Sequence, residues 1–309
     1  MNILNLEAAN YSENAVKKLK KIGNYYVLEN FKKKNYYLVD AVITRLKYLI
    51  DKNFLNKFPN LKFILCNTTG IDHINLNECY KKKIKILSLK SDYNFMTSVN
   101  STAEFTFGLI ISLIRKIPFA HAHVMKFKWN RNLFLGQDLK NKTLGIIGFG
   151  RNGKKLAKYA SAFEMKVYFY DKSKIISKFE QIKSLKKILS LSDVLVFCVT
   201  LNSTSKKILN LNNIKYLKKN SFLINTSRGE IICERALLKS LKNKILAGAA
   251  LDVVSDEYKN KKKKSLINYA KNNNNLIITP HIGGANFDAW QITENRIVDK
   301  FIDIIKDKK

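Results

Sequence analysis

The segment Thr143–Lys158 constrains the fold more than any other part of the chain. It reads TLGIIGFGRNGKKLAK. A β-rich run enters Gly148-Phe149-Gly150-Arg151-Asn152-Gly153 and a helical pattern leaves it. An acid, Asp171, stands 18 residues past Gly153, at the end of the next expected strand. Glycines at this spacing are weak evidence alone. Strand before, helix after and acid beyond are the context that a dinucleotide-binding βαβ unit requires. Gly148 permits the tight turn, Gly150 lets the backbone approach a pyrophosphate, and Gly153 lets the helix pack closely on the strand. The helix N-terminus, with Arg151 and Asn152 in its first turn, offers N–H groups and a positive dipole end to phosphates. Asp171 is suited to accept hydrogen bonds from ribose hydroxyls and to repel a 2′-phosphate, so NAD is favoured over NADP. Lys172 and Lys174 soften that rejection. A tight strand–helix turn without a ligand is the bland alternative.

The rest of the chain repeats the same grammar. Over residues 1–98, strands are expected at Ile3–Leu6, Tyr25–Leu28, Ala41–Thr44, Leu61–Cys66 and Ile84–Leu87, with helical stretches at Ser12–Ile22, Asp51–Phe58 and Leu76–Lys82. From Thr143 a second series places strands at Thr143–Ile147, Lys166–Tyr170, Val194–Val199, Ser221–Asn225, Ile245–Ala250 and Leu276–Ile278. Such alternation predicts an α/β protein with two doubly wound parallel sheets. Between the series, a helix over Ser101–Ile117, ended by Pro118, is apolar on nearly every side. It is therefore buried in a core or in a subunit interface. A last helix is expected near Asp288–Ile305. Two low-complexity stretches, Lys259–Lys264 and Lys271–Asn275, are expected as exposed loops or frayed helix ends.

Composition narrows the function classes. Fifty-six basic residues against 24 acidic ones give a net charge of +32. Lysine outnumbers arginine 49 to 7 and is spread along the whole chain. Arginine is the residue best suited to bidentate phosphate and base contacts, so this pattern argues against a dedicated nucleic-acid binder. The field still suits a small anionic substrate. Cys66, Cys79, Cys198 and Cys233 form no C-x-x-C pair and no zinc spacing, and fit a reducing compartment. The longest apolar run, Phe105–Ile114, is about half the ~18 residues that suggest a membrane span. The N-terminus has no signal-peptide pattern. A soluble cytoplasmic protein without a membrane partner is the expectation.

Three further segments end expected strands, where a doubly wound sheet places its ligand crevice. They are Asn225-Thr226-Ser227-Arg228-Gly229, Ala249–Val253 with Asp252, and Thr279-Pro280-His281-Ile282-Gly283-Gly284. Together with the glycine motif, with residues 61–74 (LKFILCNTTGIDHI), 101–118 and 136–150, and with Trp129, they resemble the D-isomer-specific 2-hydroxyacid dehydrogenase family, phosphoglycerate dehydrogenases among them. The resemblance covers nearly the whole chain. It implies a Rossmann NAD-binding domain over 99–281 and a flavodoxin-like substrate domain built from 1–98 and 282–309, with the active site in a hinged cleft between them.

The resemblance also implies reversible hydride transfer between NAD(H) and a D-2-hydroxy acid or 2-oxo acid, and a catalytic triad. Arg228 would hold the substrate carboxylate and polarise its carbonyl, which suits a fixed guanidinium fork. His281 would give or take the substrate proton, a task fit for an imidazole. Glu257 would orient that imidazole and stabilise its protonated form. Asp256 is its rival, and Tyr258 stands where the family commonly has proline. Thr200, Thr226, Ser227, Asp252 and Gly284 are expected at the cofactor, and Thr69 and Gly70 at the substrate carboxylate. The Gly283-Gly284 turn suggests a backbone crowded against a ligand. Cys198 and Thr200 depart from common family residues, and Cys198 is not read as a nucleophile. The loop Lys90–Phe95 also departs, where the substrate side chain is expected. His121 and His123 do not share a helix face, His73 reads as structural, and no metal site is expected. A homodimer using the 101–117 helix is implied. The alternative function is a non-catalytic NAD(H)-sensing interaction module on the same fold. The particular 2-oxo acid is not readable from these residues.

Overall fold

Short apolar runs separated by helical crossovers pair in parallel, because each crossover returns the chain to the end of the sheet at which the previous strand began. A computed structural model describes residues 1–257 and 265–307, so the lysine run at 259–264 lies outside the described residues. The chain divides into two units, Met1–Val99 with Ala285–Lys309, and Asn100–Gly284.

The first unit opens with β1 (Asn2–Asn5), α1 (Glu13–Ile22), β2 (Asn24–Val27), β3 (Ala41–Thr44), α2 (Lys52–Leu55), β4 (Phe63–Cys66), α3 (Leu76–Lys81), β5 (Lys85–Ser88) and α4 (Tyr93–Met96). Its five strands are all parallel in the order β2-β1-β3-β4-β5, the flavodoxin-like arrangement. β3 and β4 are buried throughout, as their unbroken AVIT and FILC runs require. Ser12, Asp51 and Asn75 cap α1, α2 and α3 by accepting from Ala15, Phe54 and Glu78 N–H groups. The expected helix over Asp51–Phe58 is thus a single turn.

The second unit contains α5 (Ser101–Ile114), α6 (Ile117–Val124), β6 (Thr143–Ile147), α7 (Arg151–Ala162), β7 (Lys166–Tyr170), β8 (Glu180–Gln181), α8 (Leu185–Leu191), β9 (Val194–Phe197), β10 (Ser221–Asn225), α9 (Glu234–Lys242), β11 (Leu246–Leu251), α10 (Ser265–Lys271) and β12 (Leu276–Ile278). The parallel sheet runs β12-β11-β10-β9-β6-β7-β8. Strand order reverses between β6 and β9, the switch point where Rossmann folds bind ligands. One face carries α5 and α7 over Leu144, Ile146, Val196 and Ile224. The other carries α8 and α9 over Ile147, Leu195 and Leu223. The chain then closes with α11 (Phe287–Lys306), whose Ile297, Val298 and Phe301 pack on Ile3, Leu19 and Phe63 in the first unit.

One local expectation needs correction, one open alternative is resolved, and one element is new. Pro118 does not end the long helix. That helix stops at Ile114, Lys116 takes a left-handed φ of 55°, and Pro118 sits in the first turn of α6. A first turn has no intrahelical acceptor for its N–H groups, so proline is tolerated there. Next, α5 is apolar all round because it lies in its own unit's core, with Ala103, Phe107, Leu109, Ile110, Leu113 and Ile114 buried. Finally, β8 was not expected, since two polar residues carry no strand pattern. No single described helix is both long and apolar enough to cross a membrane.

One buried ion pair ties α11 into the first unit. The Arg45 guanidinium donates to Glu294 through Nε at 3.0 Å and lies 3.8 Å from the centroid of the Trp290 ring. Glu294, 0% exposed, also accepts from the Ser12 N–H at 2.7 Å. Desolvation pushes its carboxyl above the usual range, and the Arg45 and Ser12 bonds pull it back. Removing one partner leaves a buried charge alone. Arg45→Met should destabilise the protein by about 3–5 kcal/mol, and Arg45→Met/Glu294→Leu by clearly less. Urea unfolding checks both. Equal losses would show that packing, not charge, holds this contact.

Candidate active site

At the switch point, the β6–α7 turn is shaped by its glycines. Gly148 has φ 92°, and a Cβ there would lie 2.6 Å from Val199 Cγ1 and 2.7 Å from the Cys198 carbonyl oxygen. A Cβ at Gly153 would lie 2.4 Å from the Gly148 oxygen. Both positions therefore exclude side chains for reasons internal to the fold. Gly150 differs, because nothing lies within 4 Å of where its Cβ would stand. The open space lies at the N-terminus of a 12-residue helix whose first turn holds Arg151 and Asn152. Asp171 Oδ2 accepts the Phe149 N–H at 2.9 Å, and Oδ1 accepts the Ser173 N–H at 3.0 Å. A carboxylate has about four lone-pair positions, so two remain for hydroxyl donors. Open helix terminus and strand-end acid together fit a dinucleotide.

At the end of β10, Asn225 is buried and braces the following turn. Its Nδ2 donates to the Arg228 oxygen at 2.9 Å, and its Oδ1 accepts the Ser227 N–H at 3.0 Å. Ser227 Oγ donates to the Phe197 oxygen, and Thr226 Oγ1 lies 2.7 Å from Thr106 Oγ1 on α5. Arg228 is half-buried, and its NH1 donates to the Ser227 oxygen at 2.7 Å. Gly229 packs against the Val254–Ser255 backbone, which a Cβ would strike at 2.0 Å. The Arg228 turn and the segment leading to Glu257 are thus in direct contact.

His281 follows β12 in a left-handed conformation, φ 56°. Its Nδ1 stands 2.7 Å from Glu257 Oε2. The rival, Asp256, instead lies near Glu230, whose Oε1 accepts the Asp256 N–H at 3.3 Å. The loop is held by Asp252, only 2% exposed. Asp252 Oδ1 accepts from Thr279 Oγ1 at 2.6 Å and from the Ile282 N–H at 2.9 Å. Oδ2 accepts the Gly283 N–H at 2.8 Å. Gly283 is crowded by Asp252, Phe105 and Thr102 of its own unit, while Gly284 is exposed. Gly283 therefore answers to packing in its own unit, while Gly284 has open space beside it. A cavity of about 560 Å³ reaches Asp252, Val254, Glu257 and His281 from beside Pro118 and Phe119.

Other expected residues fall as follows. Thr200 is exposed, and its oxygen accepts from Ser205 Oγ at 2.6 Å. Cys198 has its thiol pushed up to about 12 by desolvation, which keeps it protonated and inert near neutral pH. Thr69 and Gly70 belong to the first unit, in a loop tied by Thr68 Oγ1 donating to the Gly70 oxygen at 2.7 Å. His73 is buried there, near Cys66. Lys90–Phe95 leads into α4. His121 and His123 both lie on α6, where the His123 ring packs edge-on against Phe134. Sequence reasoning did not assign Asn225 a bracing role. Its signal was an asparagine at the end of a strand whose three preceding residues are apolar.

A cofactor turn at the switch point and a carboxylate-paired histidine at the end of β12 in the same sheet describe a dinucleotide-dependent dehydrogenase. Residues 107–283 match the model of the D-isomer specific 2-hydroxyacid dehydrogenase NAD-binding domain. A glyoxylate reductase of Thermococcus litoralis is 34% identical over 263 residues, 81% of this chain and 76% of that protein. A D-3-phosphoglycerate dehydrogenase of Bacillus subtilis is 34% identical over 254 residues, 81% of this chain and 46% of that protein. The crystal structure of a D-lactate dehydrogenase from Aquifex aeolicus, complexed with NAD and lactic acid, superposes with a TM-score of 0.81 at 26% identity, covering 99% and 96% of the two chains. The chain belongs to the D-isomer-specific 2-hydroxyacid dehydrogenase family. It is an NAD-dependent oxidoreductase of 2-hydroxy acids.

Because Asp252 holds the loop that presents His281, its loss should act on turnover. Asp252→Ala should lower kcat by about 10²-fold, the usual cost of misplacing a reacting group by ~1 Å. Steady-state kinetics check this, and kcat within twofold of wild type would remove Asp252 from that role.

Proposed function

We propose that this enzyme reduces small 2-oxo acids, glyoxylate foremost, to the corresponding 2-hydroxy acids, and catalyses the reverse oxidation. The His281–Glu257 bond carries the reading. With Nδ1 committed to the carboxylate, Nε2 is the nitrogen left to exchange a proton with substrate. Bound NADH supplies the hydride for the carbonyl carbon. As it arrives, His281 donates its Nε2 proton to the carbonyl oxygen, and in the oxidative direction it takes the hydroxyl proton. Glu257 stabilises the imidazolium at each stage. Arg228 holds the substrate carboxylate with its guanidinium fork and polarises the carbonyl. Thr69 and Gly70 are assigned to the substrate on the resemblance of their loop. Gly148, Gly150, Arg151, Asn152 and Gly153 serve the pyrophosphate and Asp171 the adenosine ribose. Thr200, Thr226, Ser227, Asp252 and Gly284 serve the nicotinamide half. Glyoxylate is put first because glyoxylate reductases recur at 30–34% identity with 75–76% of their own length covered, against 46–58% for the phosphoglycerate dehydrogenases of similar identity. The first unit is thus the substrate domain and the second the cofactor domain.

A homodimer is part of the proposal, on a different surface from α5. Residues 117–135 expose Ile117, Met125, Leu133 and Leu135, with Phe127 102% and Trp129 90% exposed. A run of large apolar side chains this exposed is characteristic of an interaction surface. The four free thiols suit a reducing, cytoplasmic setting.

NADH oxidation should be measured at 340 nm with glyoxylate, hydroxypyruvate, pyruvate and phosphorylated 2-oxo acids. At least glyoxylate should turn over, and His281→Ala should cut the rate by roughly 10²–10⁴-fold. Arg228→Lys should lower kcat/KM, since the bidentate geometry is lost. Turnover that survives His281→Ala would sink the proton-transfer assignment. Light scattering should give a dimer, with Phe127→Ser/Trp129→Ser shifting it toward monomer. An unshifted dimer would place the interface elsewhere.

A further inference from the structure

The loop after β7, residues 171–175, carries Asp171 and the two exposed lysines Lys172 and Lys174. Two opposite selectivities are therefore encoded within four residues. A carboxylate facing the ribose accepts two hydroxyls and repels a 2′-phosphate, while a lysine in the same place would attract that phosphate. What decides between them is how the loop backbone is held.

The holding group is the side chain of Gln181 on β8. Its Nε2 donates to the Asp171 oxygen at 3.1 Å and to the Ser173 oxygen at 2.7 Å. Its Oε1 accepts the Ile175 N–H at 3.1 Å. Both amide protons and the amide oxygen are thus spent on three alternate residues of one loop. Gln181 is held in turn by the sheet. It lies opposite Phe169 in the parallel β7–β8 pair, and the next residue, Ile182, donates its N–H to the Phe169 oxygen at 2.7 Å. Phe169 stacks on Phe149 with ring centroids 3.8 Å apart, and the Phe149 N–H is the donor to Asp171 Oδ2. The two-residue strand β8 has little other reason to exist. It buries no large side chain of its own, and its single pairing partner is β7.

We infer that Gln181 is a positioning residue for cofactor choice: it fixes the 171–175 loop so that Asp171 faces the adenosine ribose and Lys172 and Lys174 stay turned out to solvent. The inference rests on the assignment of Asp171 to the ribose. It adds that this assignment depends on an amide ten residues further along the chain. Gln181 spends both amide protons and one lone pair of its oxygen on the loop, and it is a loop-ordering group with no part in the hydride or proton transfer. Its loss should move selectivity, not the chemical step.

The test uses the full-length protein with Gln181→Leu, and Asp171→Ala beside it. Hydrogen exchange without cofactor should show faster exchange at the Ile175 amide in Gln181→Leu. Titration by quenching of protein fluorescence should show the Kd for NADH raised about fivefold, the order expected from losing a few loop-ordering hydrogen bonds. The Kd for NADPH should stay the same or fall, so the preference for NADH narrows. Asp171→Ala should narrow it too. If only Asp171→Ala does so, the Gln181 role is overturned and the ribose assignment stands. If neither does, the ribose assignment fails and takes the Gln181 role with it. Equal weakening of both cofactors would also overturn it, as a purely structural effect. Should Gln181→Leu fail to fold by circular dichroism, Gln181→Glu replaces it. That variant keeps an acceptor for Ile175 and sets a carboxylate against two carbonyl oxygens, so the same narrowing is expected.

Discussion

The catalytic half of the second unit depends on one buried carboxylate. Asp252 gives up its water and receives in exchange the Thr279 hydroxyl and the Ile282 and Gly283 N–H groups. A buried charge demands such donors, and here the donors are the loop that must be ordered. The loop needs that help, because His281 adopts a left-handed backbone, which costs a non-glycine residue about 1–2 kcal/mol. Main-chain bonds extend the same framework in both directions. The His281 N–H donates to the Asp252 oxygen, and the Asp252 N–H donates to the Asn225 oxygen. Asn225 Nδ2 in turn holds the Arg228 oxygen. The Arg228 and His281 backbones are thus linked through hydrogen bonds at the ends of β10 and β11.

This arrangement explains why the glycines differ in meaning. Gly229 and Gly283 are small because their own unit crowds them, and Gly148 because its φ demands it. Gly150 alone of the dinucleotide glycines faces open space. Of these, it is the position where a side chain would fit the empty fold and fail only with a phosphate present. The distinction separates residues that build the crevice from those that leave room in it, a separation a motif cannot make.

Much of this was legible in the sequence. The strands at 143–147, 166–170, 221–225 and 276–278 follow from short runs rich in aliphatic and aromatic residues, and the order of motifs points to the strand ends expected at the crevice. What escaped has physical reasons. β8 is two polar residues whose role is a side-chain amide reaching back ten positions, which no periodicity signals. Pro118 reads equally well as a stop or as the first turn of a new helix. An all-apolar α5 reads equally well as core or interface until its neighbours are known. Glu257, by contrast, is preferred to Asp256 on the family spacing, and it is the carboxyl that lies against His281.

The charge of the chain sharpens the meaning of Arg228. With 56 cations, an anion is drawn to many surfaces, so attraction alone marks no site. The lysines hold mobile point charges on flexible stems, and salt screens them within about 8–10 Å. Arg228 is one of only seven arginines and sits half-buried on a turn braced by Asn225 and pinned against the Val254–Ser255 backbone. Its NH1 donates to the Ser227 oxygen, and its turn follows β10, the strand next to the one at whose end Asp252 stands. A lysine field of this kind draws small anions to many parts of the surface without fixing their orientation, whereas a guanidinium on a braced turn can discriminate between orientations. That contrast is why the proposed substrate anchor is Arg228 and not a lysine.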